Sequence, residues 1–215
     1  MAKRQVNPTR MELTRQKRKL ATAIRGHRLL KDKLDELMRQ FLELVKTNMA
    51  LRVKVEEGLA AAASHFVLAR AAMPDPVMNT ALLAPGRKGA LEVGRRNIMS
   101  VITPQFTYKP QTDGHGDIYS YGLSFTSSEL DDAVKSVSDA FPDMLALAEV
   151  EKGCQLIANE VEKTSRRVNA LENVMIPEMR ETIKFISMKL DENERSAQVR
   201  LMKVKDMVLA AAHHF

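Results

Sequence analysis

The stretch Leu30-Lys-Asp-Lys-Leu-Asp-Glu-Leu-Met-Arg-Gln-Phe-Leu-Glu-Leu-Val-Lys-Thr-Asn-Met-Ala-Leu-Arg-Val-Lys-Val55 decides the fold. Two interleaved seven-residue series run through it: Leu34, Phe41, Asn48 and Val55 in one, Leu30, Leu37, Leu44 and Leu51 in the other. Every position but Asn48 is apolar. A 3.5-residue period held over this length marks a coiled-coil seam, because an ordinary amphipathic helix repeats every 3.6 residues and would drift off it. The series extends backwards through Leu13, Leu20 and Ala23, with His27 the polar exception, and forwards to Ala62 and Ala69. Thr9-Arg-Met-Glu12 reads as a capping box at its start, each side chain satisfying an orphan backbone N–H.

A second seam occupies the far end of the chain. Leu147, Val150, Cys154, Ile157, Val161, Thr164, Val168, Leu171 and Met175 repeat in the same manner. The repeat slips by one place at Pro177 and resumes through Met179, Ile183, Ile186, Leu190, Asn193, Ala197, Leu201, Val204 and Val208. A proline lacks the backbone donor and crowds the preceding turn, so a kink or phase shift is expected there. Single polar residues on the seams (His27, Asn48, Thr164, Asn193) are read as register-setting positions.

Proline and glycine divide the 215 residues into three. The expected organisation is an N-terminal stretch 1–9, a coiled-coil helix 10–73 and an irregular segment 74–127. A short helix 128–141 follows, opened by a second capping box at Thr126-Ser-Ser-Glu129 and closed by Pro142. The C-terminal helix 143–209 and a tail 210–215 complete it. Each arm would measure about 95–100 Å at 1.5 Å per residue. One apolar stripe cannot bury itself, so the arms are expected to fold back on each other with paired residue numbers summing to about 217. That rule places Leu13 near Val204, Phe41 near Met175 and Phe66 near Val150. In the middle segment, Ile98–Thr103 favours a strand. Phe106 and Tyr108, then Tyr119, Tyr121, Leu123 and Phe125, alternate around Asp113-Gly-His-Gly-Asp117, which suggests a β-hairpin at about 98–125. The fold class is mainly α: a long antiparallel two-helix coiled coil of the N- and C-terminal arms, with a central segment holding a short helix and a small β-hairpin.

Composition agrees. The chain is 45% hydrophobic with 13 methionines, no tryptophan and 5% aromatic residues, a mixture suited to helix packing. The single Cys154 leaves no internal disulfide framework and lies on the seam, where it reads as a small buried hydrophobe. The start carries charge but no apolar core of a secretory signal, and no apolar run reaches the roughly 18 residues of a membrane span. Net charge is +6, yet residues 1–31 carry ten Lys/Arg against Glu12, and residues 126–162 carry nine acids against Lys135 and Lys152. Different partners are expected at the two places.

No phosphate loop, zinc-binding pair or nucleophile elbow is present; Gly86-Arg-Lys-Gly89 lacks the required spacing, and His213-His214 reads as a tail. No catalytic, cofactor-binding or metal-ligating set is expected, and the chain is read as non-enzymatic.

Four motifs carry a resemblance. Asn7-Pro-Thr-Arg-Met-Glu-Leu13, Gly26-His-Arg-Leu-Leu-Lys-Asp-Lys33 with Asp35-Glu-Leu-Met-Arg39, Arg166-Arg-Val-Asn-Ala-Leu-Glu172, and Met188-Lys-Leu-Asp-Glu-Asn-Glu-Arg195 resemble the D subunit of the V-type rotary ATPases. The likeness covers about 7–72 and 128–205. It implies a central rotor shaft coupling ATP hydrolysis or synthesis to H+ or Na+ transport. The termini-bearing tip would enter a hexameric head of catalytic A and B subunits. The small F subunit would dock lower, and a membrane-side connector, C (named d in eukaryotic complexes), would hold the base. It implies a cytoplasmic location peripheral to the membrane, without insertion.

On that reading a basic cluster would meet the head: Arg10, Arg15, Lys17, Arg18, Arg25 and Arg28, with Arg195, Arg200, Lys203 and Lys205 across from them. Phe66, Tyr119, Tyr121, Asp131 and Asp132 are the candidates for contact with F or the connector. The rivals are a basic coiled-coil arm that binds nucleic acid, with steep salt dependence, and an adaptor protein. The first is weakened because no aromatic residues are interleaved with the basic cluster to stack bases.

Overall fold

The computed structural model describes residues 6–83, 89–110, 118–119, 121–122 and 126–212. In chain order the elements are α1 (Arg10–Ala72), α2 (Asp75–Leu82), β1 (Gly89–Ile98), β2 (Val101–Pro110), α3 (Ser128–Ala170), a π turn (Leu171–Met175) and α4 (Ile176–Ala212). Two compact units result: Met1–Leu34 with Lys163–Phe215, and Asp35–Glu162.

In the unit Asp35–Glu162, α1 packs against α3 and the β1–β2 hairpin. Leu37, Ile157 and Val101 form a buried cluster, with Phe41, Leu44, Ile98, Leu156 and Val161 against it. A second cluster of Ala69, Met73 and Leu130, flanked by Phe66, Met78 and Tyr121, closes the reversal between the helices. Between the clusters the helices approach closely: a Cβ on Gly58 would lie 3.3 Å from that of Ala140. The buried residues of α1 (Leu37, Val55, Ala62 and Ala69) all lie on the two seven-residue series of the sequence.

In the unit Met1–Leu34 with Lys163–Phe215, the start of α1 runs along the end of α3, the π turn and α4. Thr164, Val168, Ile176 and Ile186 are its buried side chains. Glu12 N–H donates to Thr9 Oγ1 at 3.2 Å, which caps α1. The Glu12 carboxylate accepts from Gln16 at 2.7 Å instead of reaching back, so half of the expected capping box forms.

Three expectations need correction. The chain does not break at Pro142; α3 runs through it from Ser128 to Ala170. An interior proline costs about 3 kcal/mol, but Leu130, Ala133 and Ala140, buried just ahead of it, anchor the helix. Thr126 does not cap this helix; its hydroxyl donates to the Gly122 carbonyl at 3.0 Å.

Second, the pairing differs within each unit. His27 meets Glu172, Arg10 meets Glu194, and Gly58 faces Ala140. Each observed partner lies more than a dozen residues earlier than the rule of 217 placed it. Leu13 and Val204 are therefore not partners, and Val204 is 49% exposed.

Third, the hairpin lies at Gly89–Pro110, its strands antiparallel from Gly89↔Pro110 to Ile98↔Val101. The turn is Met99-Ser100, both with positive φ (50° and 72°), the conformation that suits the twist of a two-residue hairpin loop. The turn expected at Asp113–Asp117 lies outside the described residues, as do Leu123 and Phe125. Tyr119 and Tyr121 are not in a strand.

The slip at Pro177 takes the form of the π turn. Ile176 N–H bonds to the Leu171 carbonyl, five residues back. Pro177 cannot donate and would crowd the carbonyl of Asn173 in an α-helix; one added residue in the turn relieves that conflict. The seam then passes through Leu171, Ile176, Met179, Ile183, Ile186 and Leu190, and Met175 falls outside it at 44% exposed.

Candidate functional site

The charged residues of the sequence fall on distinct surfaces within each unit. On α1, Arg10, Arg15, Lys17, Arg18, Arg25 and Arg28 are all exposed. Arg10 is paired with Glu194 on α4, and Arg15 lies 3.6 Å from Glu12. Arg25 Nε donates to the Ala21 carbonyl at 3.4 Å. His27 Nε2 lies 3.2 Å from Glu172 Oε2 in the π turn and ties α1 to it.

Of the α4 cations expected across from the α1 cluster, Arg195 lies level with its first member, beside the Glu194 that pairs with Arg10. Arg200, Lys203 and Lys205 lie beyond it. Arg10, the first residue of α1, already pairs with Glu194, so α4 runs on past the start of α1 as a single helix. Along this extension the side chains of 197–209 are exposed. The seam pattern continues there nonetheless: Leu201, Val204 and Val208 are 69%, 49% and 62% exposed, with Met202, Met207 and Leu209 beside them. Among the described residues nothing packs over this apolar stripe.

In the unit Asp35–Glu162 the residues assigned to F or the connector lie close together. Tyr121 donates to Asp131 Oδ1 at 2.7 Å and packs edge-on to Tyr119, their ring centres 6.1 Å apart. Phe66 and Tyr121 are half-buried against Ala69, Met73 and Leu130, so much of their surface is already covered; Asp132 is exposed. Burial and the Asp131 carboxylate push the Tyr121 phenol well above its ordinary value of 10.0. Asp75, at the start of α2, accepts from Arg70 Nε at 2.9 Å, which lowers its carboxyl below the usual 3.8.

The remaining seam residues occupy helix–helix interfaces within their units. Leu37, Ile157 and Ile186 are fully buried, and Val55 and Val168 are 6% exposed. Leu13, Leu20, Leu30, Leu34, Phe41, Leu44, Leu51, Val150, Val161, Leu171 and Leu190 are half-buried. Cys154 is half-buried, and burial followed by Glu151 raises its thiol, the opposite of what a nucleophile requires.

Two features escaped the sequence. Glu149 Oε2 accepts Phe106 N–H at 2.8 Å and fastens the outer edge of β2 to α3. An open cleft of about 890 Å³ lies beside the π turn, lined by α1 residues Met11 to Ala23 and by Leu171, Met175 and Met179. Pro177 with the slipped seam is the only trace of that cleft in the residues. Among the described residues no group of His, Cys, Asp or Glu is arranged to hold a metal, and no helix is long and apolar enough to cross a membrane.

Comparison with known proteins accords with this arrangement. A family model described as the D subunit of ATP synthase matches residues 12–206. The V-type ATP synthase D subunit of Clostridioides difficile (strain 630) is 57% identical over 212 residues, covering 99% of this chain and 95% of the relative. The D subunit of Acetivibrio thermocellus is 56% identical over 215 residues, 100% of this chain and 97% of its own. That of Clostridium botulinum (strain Alaska E43 / Type E3) is 54% identical over 209 residues, 97% of this chain and 98% of its own. The match spans both helical arms and the hairpin between them, and the chain belongs to the family of ATP synthase D subunits of V-type complexes.

Proposed function

We propose that this chain, a central-stalk component of a rotary V-type ATPase, works as a non-catalytic rotor shaft that couples ATP turnover in the A/B head to H+ or Na+ transport by the membrane ring. The observation that carries the reading is the end of α4. An apolar stripe on an extended helix, interleaved with Arg200, Lys203 and Lys205 and covered by nothing among the described residues, supports a surface that another protein encloses. The bore of a ring of catalytic subunits fits that need. Exposed cations on α1 and α4 would meet acidic surfaces through contacts of about 0–1 kcal/mol each, weak enough to be exchanged as the shaft turns.

The clustered Phe66, Tyr119, Tyr121, Asp131 and Asp132, in the unit Asp35–Glu162, would serve F or the connector C (d). On this reading the chain is peripheral to the membrane on the cytoplasmic side. The nucleic-acid and adaptor alternatives are not favoured, because the family match spans nearly the whole chain.

Copurification tests the proposal. A tagged chain expressed with its complex should bring down A, B and F together in fixed ratio. Recovery of nucleic acid without A and B would overturn it.

A further inference from the structure

The β1–β2 hairpin has little of its own to hold it together. Every residue of β1 but Ile98 is exposed, and β2 buries only Val101 and Thr103. Two strands alone are marginal in water. Gly94 weakens the middle of β1, and Pro104, paired with Arg95, brings no N–H to the ladder. The turn adds strain, since Met99 and Ser100 both stand at positive φ, which an L side chain opposes. Residues so held persist only where their surroundings over-determine them.

Those surroundings are the two helices together. At the tip, Val101 shares a buried cluster with Leu37 of α1 and Ile157 of α3, and Ile98 packs against it. Farther along, β2 rests on α3. A Cβ on Gly153 would lie 3.9 Å from the Thr103 methyl, Phe106 N–H donates to Glu149, and Tyr108 packs edge-on to Phe141. Leu37 therefore brings α1 into the support of a hairpin that is otherwise seated on α3.

We propose that the hairpin is an order–disorder element whose folding is conditional on the register of α1 against α3. While Leu37 and Ile157 lie together at the tip, both strands form. A shift of the helices that parts the two removes the seat of Val101, and the strained turn then releases both strands as one unit. Pairing and docking depend on each other, so the hairpin has two states and no graded response between them. The inference goes beyond the rotor reading and does not depend on it.

Hydrogen exchange of the full-length chain at increasing urea tests this. The hydrogen-bonded amides of β1 and β2 should converge on one opening, about tenfold or more less protected than the amides of α1 around Leu37. Leu37→Ala should speed exchange across both strands about tenfold, because Leu37 supports the tip only in the closed state. Leu130→Ala damages the separate cluster at the reversal. It should weaken the unit yet leave hairpin exchange within about twofold of wild type. Both variants truncate a fully buried leucine, so general destabilisation does not imitate the difference. If Leu37→Ala does not fold, Ile157→Val carries the same comparison, with exchange about threefold faster in both strands.

Strands that fray residue by residue would overturn the proposal, as would strands that open only when the helices do. So would a truncation at Leu37 or Ile157 that speeds the hairpin no more than Leu130→Ala does.

Discussion

Tyr121 shows how one side chain carries a measurable signature of its surroundings. Its hydroxyl donates to Asp131 while its ring packs with Ala69, Met73 and Leu130, and both burial and the carboxylate oppose ionisation. The folded protein therefore keeps the phenolic proton to higher pH than the unfolded chain does. The stability this contributes is complete below pH 10 and is lost as pH rises above it through the folded value. Wild type should thus lose stability between pH 10 and 11 faster than Tyr121→Phe, and the difference in urea midpoints across that range measures it. Equal slopes would mean that Tyr121 ionises as freely in the fold as out of it. The pair is not legible in the sequence. Local pattern puts Tyr121 in a strand and Asp131 on an acidic surface, because ten residues of separation give no periodicity that links them.

The hairpin carries the lesson at the level of the element. Gly89 sits under the Tyr108 ring, where a Cβ would lie 2.2 Å from a ring carbon, and Tyr108 in turn packs edge-on to Phe141 at 5.2 Å. Glu149 holds the outer edge of β2. With both strands so anchored, the chain reverses at Met99-Ser100 although neither residue favours positive φ. Met99→Asn/Ser100→Gly should relieve that strain and stabilise the unit by about 1 kcal/mol, read as a higher denaturation midpoint. A lower midpoint would mean that the Met99 side chain contributes packing that outweighs its backbone strain. Conversely, Glu149→Ala should speed amide exchange at Phe106 by about tenfold, corresponding to the roughly 1.4 kcal/mol of a hydrogen bond to a charged group. The alternating aromatics after Phe106 draw the sequence reading to Asp113–Asp117, outside the described residues, and away from Met99-Ser100, since Asp-Gly-His-Gly-Asp outscores Met-Ser on every local preference.

For the whole molecule, what counts is which surfaces the fold leaves for others. Truncation after Ser196 removes only exposed side chains among the described residues, so the thermal midpoint should move by no more than about 2–4 °C, while head binding is lost. A collapse in stability would show that the extension is packed against the rest of the chain. After the slip at Pro177 the apolar seam positions carry on as far as Val208. Periodicity alone therefore assigns them an intramolecular partner that the chain does not supply.

Taken alone, the order of residues determined the helices, the faces they bury and the place where the second seam must slip. These follow from spacing along the chain, and spacing is local: Leu37, Val55, Ala62 and Ala69 lie on one face of α1 whatever stands opposite. Tertiary structure alone decided which residue meets which. An unbroken apolar stripe slides against its partner at little cost, so the register waited on the reversal packed by Met73 and Leu130 and on the uninterrupted α3. In the unit Met1–Leu34 with Lys163–Phe215, the meeting of Arg10 with Glu194 likewise decided how far α4 outruns α1, and so which part of a seam-like stripe stays uncovered among the described residues.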